Sequence, residues 1–360
     1  MANQAVVLMG LAGCAAPAVS ARPVERAIRE GVDYLVSAQQ PDGSWGTGRG
    51  SSGFDVLASV PGSHDAFRVG VTALAVLALR EAGERTASAK GLAWLVEYEG
   101  LRRANPWEIY NVWGHTYALQ ALATAYREEG LEAYRTAAQR HLDALVRYET
   151  VVGGWNYYDF IVGAQTPSME PTSFGTAAGL VALHEASRAG LSVPESLHTR
   201  ALRRLKQMRL PDGSFLYGSD FRYMPRHLAN RMKGSLGRTQ SGHDALQLWA
   251  VEGIGEPEIR AGLDAFFADH RFLDIGRKRQ YPHEAWYFNS GYYYYFGHYH
   301  AARLIERLSD KGDYPERLRA CILPYQEPDG SWWDYRMWDY HTVYGTAFAI
   351  MTLLRSGPTP

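Results

Sequence analysis

Gln40-Pro41-Asp42-Gly43-Ser44-Trp45 decides the fold, because the chain says the same thing again at distant positions. Leu210-Pro211-Asp212-Gly213-Ser214-Phe215 and Glu327-Pro328-Asp329-Gly330-Ser331-Trp332 repeat it, and Val152-Gly153-Gly154-Trp155 is a degenerate copy. Pro and Asp open a turn, Gly takes a backbone angle that side chains resist, and the aromatic ring plugs a gap between neighbouring helices. Self-similarity at this spacing marks a repeat architecture.

Working outward, an amphipathic helix precedes the first turn: Val24, Ile28, Val32, Leu35 and Val36 fall at helical spacing, with Arg26, Arg29 and Glu30 elsewhere on the surface. A segment of different character follows. Val69 to Leu79 is apolar nearly all round and should be buried on every side. Equivalent apolar segments are expected to begin near His115, Phe174, His243, Tyr293 and Tyr344, and their amphipathic partners near Pro23, Thr86, Leu131, Leu197, Glu256 and Tyr314. Glycines at 83, 130, 190, 255 and 312 punctuate the joints between them. Six half-wet helices alternating with six dry ones predict an all-α fold, an (α/α)6 toroid with the dry set inside, spanning residues 22–360. An open solenoid is the competing arrangement, but it would need polar capping repeats.

The Gln-Pro-Asp-Gly-Ser-Trp repeat resembles those of squalene-hopene cyclases and protein prenyltransferase β subunits, over about Pro23 to Leu354. The resemblance implies the terpenoid-cyclase and prenyltransferase toroid, but not an activity, since function lives in the site grafted onto a fold. His341-Thr342 looks like the zinc histidine of the prenyltransferases. The Asp-x-Cys position of that family falls on Asn289-Ser290-Gly291, which supplies neither thiolate nor carboxylate. The run from Met169-Glu170-Pro171-Thr172 to Leu180 resembles their diphosphate-binding segment, with Thr172 where the histidine would stand. The Asp-x-Asp-Asp acid of class II cyclases is absent. In its place stand two His-Asp pairs, His64-Asp65 and His243-Asp244, both expected at the starts of inner helices. One Asp beside a His is a candidate acid; it is also an ordinary helix cap.

A ring of parallel inner helices gathers its long loops at one rim. Those loops, roughly 41–67, 100–112, 149–172, 210–240, 270–289 and 327–342, should carry the site. The candidate catalytic residues are therefore Asp244, His243, Asp65, His64 and His341. The candidate substrate-binding residues are Trp113, His115, Tyr117, Trp155, Tyr157, Tyr292, Tyr293, His298 and Arg222. Such a set suits acid–base chemistry near neutral pH, or simply fills the ring's centre. His298 and His300 lie two apart on a helix, so only one of them points inward. The basic runs that include Arg222 and Arg277 to Arg279 suit an anionic ligand or a solvated surface.

A formal net charge of -1 argues against nucleic acid as a partner. The two cysteines, Cys14 and Cys321, form neither a disulfide framework nor a thiolate metal site of usual spacing; no metal and no cofactor are expected. Residues 1–21 read as a signal segment: Ala5 to Ala21 is a short apolar run in which Leu11-Ala12-Gly13-Cys14 looks like a lipobox, so Cys14 is a candidate lipidation site. This predicts an exported cell-envelope lipoprotein held at the membrane by a lipid anchor. Three functions fit: an isoprenoid-handling, terpene cyclase-like enzyme; an exported carbohydrate-active, lyase-like toroid acting on a polysaccharide; and a non-catalytic envelope binding protein. A closed apolar cavity would favour the first, an open polar groove the second, and a plugged centre the third.

Overall fold

The computed structural model describes residues 23–48, 61–101, 111–156 and 170–357. Cys14, Tyr157 and the proposed export segment lie outside the described residues. Among the described residues the chain is helical, with extended pairing limited to isolated bridges at Thr172–Gly218 and Arg209–Phe215.

Six helices form the outer layer: α1 (Val24–Ser37), α3 (Arg85–Glu97), α5 (Glu132–Arg147), α7 (Glu195–Met208), α9 (Glu256–Ala268) and α12 (Tyr314–Ile322). The inner layer is α2 (Pro61–Glu81), α4 (Asn111–Glu129), α6 (Ser173–Arg188), α8 (Met232–Leu248), α11 (Tyr293–Glu306) and α13 (His341–Ser356). A short additional helix, α10 (Arg271–Gly276), precedes α11. Each inner helix packs on the next, and α13 packs back on α2, which closes the ring. This is the (α/α)6 toroid.

The repeated turns bind neighbouring layers together. In the first, Asp42 Oδ1 accepts from Ser44 N and Oγ at 3.1 and 2.7 Å, fixing the turn. Trp45 then donates its backbone N–H to Thr72 Oγ1 on α2 and its indole N–H to Leu35 O on α1. Gly43 sits at φ +93°, where a side chain would be strained and would strike the Lys90 backbone. The other copies make the same bonds: Trp332 to Thr346 and Ile322, Trp155 to Thr176 and Leu145, and Phe215 to Ser235.

One expected boundary is wrong, with consequences for the site. The fourth inner helix begins at Met232, not near His243. The stretch from Lys233 to Gly242 reads as polar, yet from Gly234 onward it is buried. It achieves this through small residues: Gly237 meets Gly297 of α11 so closely that an added Cβ on Gly297 would lie 2.7 Å from the Gly237 Cα. His243 and Asp244 therefore occupy the last turns of α8, at the opposite end from the long loops.

A cavity at the long-loop end of the ring

Above the packed lower half of the ring, the amino-terminal ends of the inner helices border a cavity of about 520 Å³. That volume falls within the roughly 300–1,000 Å³ of small-molecule sites. The inner helices supply Phe67 from α2, Trp113 from α4, Phe174 from α6, Tyr293 and Phe296 from α11, and Tyr344 and Phe348 from α13. Loops before the helices add Tyr217, Phe221, Phe288, Tyr292 and Tyr335, along with His227, His283, Ala229, Pro282 and Met337. Twelve of these are Phe, Tyr or Trp, and no Asp, Glu, Lys or Arg is among them.

Polar groups stand just behind this wall. Asp334 is fully buried in the loop before α13. Tyr344 Oη lies 2.6 Å from Asp334 Oδ1 and 3.1 Å from the Tyr335 carbonyl, while the Tyr295 N–H donates to Asp334 Oδ2 at 3.1 Å. The Tyr344 hydroxyl donates to the Asp334 carboxyl, with the Tyr335 carbonyl as a second acceptor within its reach. Burial pushes the Asp334 pKa up to about 7, against the pull of the Tyr344 hydroxyl and the Tyr295 and Tyr335 amides. This side chain was missed in the sequence. Its only signal was an Asp following the Trp pair of the third full repeat.

On the opposite wall, His283 Nδ1 donates to the Phe288 carbonyl at 2.8 Å, which leaves Nε2 to accept from Tyr292 Oη at 2.9 Å. Burial lowers the His283 pKa, so the ring is a neutral base at pH 7. His283, Tyr287 and Phe288 all have φ near +60°, a backbone strain held in the loop that forms this wall. Arg238, 1% exposed, lies 5.5 and 5.3 Å from the Tyr217 and Tyr293 ring centroids. One nitrogen donates to Ala229 O, whereas Nε and Nη1 have no partner.

The residues singled out in the sequence divide between this cavity and elsewhere. Trp113, Tyr292 and Tyr293 line it. Tyr117 packs one turn below, against Trp113 and Phe348. His64 and His341 lie at the same end without lining the cavity: His64 Nδ1 is 3.1 Å from Tyr340 Oη, and the His341 ring meets the edge of Trp333. Asp65, beside His64 in the first turns of α2, is half-buried. Arg222 is exposed and stacks over Tyr223, next to the cavity residue Phe221.

The remaining residues are brought elsewhere. Asp244 is an ion-pair hub, 2.8 Å from Arg303 Nε, 2.5 Å from Arg307 Nη2 and 2.6 Å from His300 Nδ1. Burial alone would raise its pKa, but the two guanidinium groups and His300 hold it far below the ordinary carboxylate range. An ion so firmly paired is no proton donor. His243 faces outward onto Phe215 and Gly262 of α9. His115 turns to His141 on α5, their Nδ1 atoms 2.9 Å apart. Trp155 is wholly buried as the repeat's plug, so it has no face to offer a substrate. His298 points to the outer layer, where its Nε2 meets His270 Nε2, while His300 takes the inward position.

No family model matches the chain, and no curated protein matches it in sequence. In fold it is similar to an inactive variant of an α-1,6-mannanase from Salegentibacter, in complex with α-1,6-mannotetrose (TM-score 0.62, 8% identity, covering 93% of this chain and 99% of that one). It is also similar to the type II terpene cyclase MstE from Scytonema, in complex with geranylgeranyl dihydroxybenzoate (TM-score 0.57, 15% identity, 92% and 97% covered). A protein from Actinoplanes matches with TM-score 0.57 at 17% identity, over 93% and 99% of the two chains. Identities this low establish shared architecture: the chain is an α/α toroid of the kind that terpene cyclases and glycoside hydrolases both use.

Proposed function

We propose that this toroid is an isoprenoid-handling, terpene cyclase-like enzyme that holds an apolar chain in its aromatic cavity. The observation that carries the reading is the wall itself, which among the described residues has twelve aromatic rings and no charged side chain. A hydrocarbon chain loses no hydrogen bonds on entering such a space, whereas a sugar would leave hydroxyls unpaired. Ring faces also attract a cation, the intermediate of a cyclisation.

The proton comes from Asp334. The Tyr344 hydroxyl turns its proton from Asp334 to an alkene carbon as the Asp334 carboxyl proton passes to Tyr344 Oη, leaving a carboxylate and a carbocation over the rings. His283, acting through Tyr292, then takes a proton from a neighbouring carbon and restores a double bond. A carboxyl of this strength is a weak acid for an alkene, so the rings must stabilise the cation as it forms. Arg238, charged and partly unpartnered behind Tyr217 and Tyr293, suits a substrate whose apolar chain ends in an anionic head. The substrate bound by the Scytonema cyclase, geranylgeranyl dihydroxybenzoate, likewise joins an apolar chain to a polar ring.

The test incubates the purified protein with squalene, prenyl diphosphates, a geranylgeranyl benzoate and acidic polysaccharides, with products read by mass spectrometry. Turnover of an isoprenoid is expected, with Asp334→Asn retaining binding but losing about 100-fold or more in rate. Turnover of a polysaccharide alone would overturn the reading.

A carbohydrate reading keeps one observation in its favour. Trp286 and Tyr223, on the loops around the cavity, are 70% and 78% exposed, and Tyr223 lies under Arg222. Stacked rings of that kind grip sugars as well as lipids. We further propose that Cys14 is acylated and places the protein in the cell envelope. Labelling with a palmitate analogue that persists in Cys14→Ala would refute this. Among the described residues no helix is long and apolar enough to cross a membrane.

A further inference from the structure

The second cysteine has a setting that sequence spacing did not reveal. Cys321, on the outer helix α12, lies with His298 of the inner helix α11 and His270, which immediately precedes α10. One potential ligand atom from each falls within 4.8 Å of the others, and all three residues are buried. The cluster is on the outward side of α11, among Phe266 of α9 and Tyr294, and is separate from the central cavity.

Hydrogen bonding fixes how the two imidazoles are presented. His298 Nδ1 is 2.7 Å from the Tyr294 carbonyl, which only accepts, so this nitrogen carries a proton. His270 Nδ1 is 2.9 Å from Asp274 Oδ2, a carboxylate that likewise accepts. The Nε2 atoms of the two rings face each other 2.9 Å apart. Two nitrogens at that distance share a positive centre, either a proton or a metal ion. Imidazoles held at Nδ1 by a backbone carbonyl and by a carboxylate, with Nε2 turned toward the cluster, match the usual outer hydrogen-bonding pattern of a metal site. Bonds of about 2.0–2.1 Å at a tetrahedral angle would place the two nitrogens about 3.3 Å apart, so the rings need part by only a few tenths of an ångström.

We propose that His270, His298 and Cys321 bind a divalent transition-metal ion of the zinc type, clamping the outer helix α12 to the inner helix α11. A thiolate and two imidazoles select a borderline-soft ion over magnesium or calcium. The clamp owes nothing to the cavity or to its substrate.

The experiment uses the full chain, with metal content measured as purified and again after chelation, followed by titration with Co²⁺ and competition by Zn²⁺. One equivalent is expected, with a thiolate-to-cobalt charge-transfer band in the near ultraviolet. Cys321→Ser should abolish that band. Asp274→Asn keeps all three ligands and should weaken binding roughly 10- to 100-fold, which provides a test should the cysteine variant fold poorly. Zn²⁺ should raise the melting temperature of the wild type and leave that of Cys321→Ser unchanged. Absence of stoichiometric binding, or a cobalt spectrum and affinity unaltered by both substitutions, would overturn the proposal and leave a shared proton between the rings.

Discussion

Asp334 and Asp244 are both fully buried carboxyls, and their neighbours send them in opposite directions. Asp244 has two guanidinium groups and His300 around it; Asp334 has only hydroxyl and amide partners and keeps its proton to about pH 7. Between the ordinary carboxylate pKa near 4 and pH 7, the folded state binds one more proton at Asp334 than the unfolded chain does. This residue's contribution to stability is therefore full at low pH, falls as pH rises through that window, and is flat above it, a loss on the order of 4 kcal/mol. Urea unfolding of wild type and Asp334→Asn from pH 5 to 8 should show the variant gaining on the wild type as pH rises. A constant difference would mean Asp334 is ionised throughout. For Asp244 the prediction is structural. Asp244→Asn strands Arg303 and Arg307 and should cost about 3–5 kcal/mol, while ligand affinity of the folded fraction stays at the wild-type level.

At the scale of the element, the repeated turn is a staple whose ring needs a glycine opposite. Trp155 lies on Gly179, where an added Cβ would come within 2.6 Å of the indole, and Trp45 lies on Gly91 in the same way. Trp155→Ala should cost about 3–5 kcal/mol in chemical denaturation, yet leave affinity for any cavity ligand unchanged, because this ring never reaches the cavity. Lost affinity in a folded variant would restore Trp155 to the site. These staples made the fold legible in sequence: Asp, Gly, Ser and an aromatic recur because each satisfies a local demand. What the sequence hid was burial without hydrophobicity. In α8, Ser235 receives the Phe215 amide, and Gly237 and Gly242 admit a backbone and a ring, so a dry helix reads as a wet loop. That misreading set the His243-Asp244 pair at the wrong rim. Trp113, Tyr292 and Tyr293 sit at starts that periodicity could locate, whereas Asp334 acquires its character from Tyr295 and Tyr344 on two other elements. Contacts of that kind have no signature in a single stretch of chain.

At the scale of the whole molecule, the ring has a seam and a divided centre. Its lower half is plugged by a polar knot in which Gln120 reaches Tyr299 and Arg303 binds both Tyr299 and Asp244; its upper half is the cavity. The seam lies where the last repeat meets the first helix. Gln326 Nε2 donates to Ala27 O at 2.9 Å, Trp332 covers Gly31, and Arg355 pairs with Glu81. A linear stack of repeats would transmit damage only to its neighbours, so a lesion at one end would fray that end. A closed ring has no end, and weakening the seam should lower the stability of every helix that exchanges by global unfolding. Gly31→Val tests this, since a Cβ there would already meet Trp332 at 2.8 Å and Ile350 at 3.2 Å. Overpacking of this kind costs about 1–3 kcal/mol. Hydrogen exchange should therefore quicken roughly 5- to 150-fold in the core of α6 and α8, far from the seam, as well as in α1 and α13. Acceleration confined to α1 and α13 would show that the circle behaves energetically as an open chain of repeats.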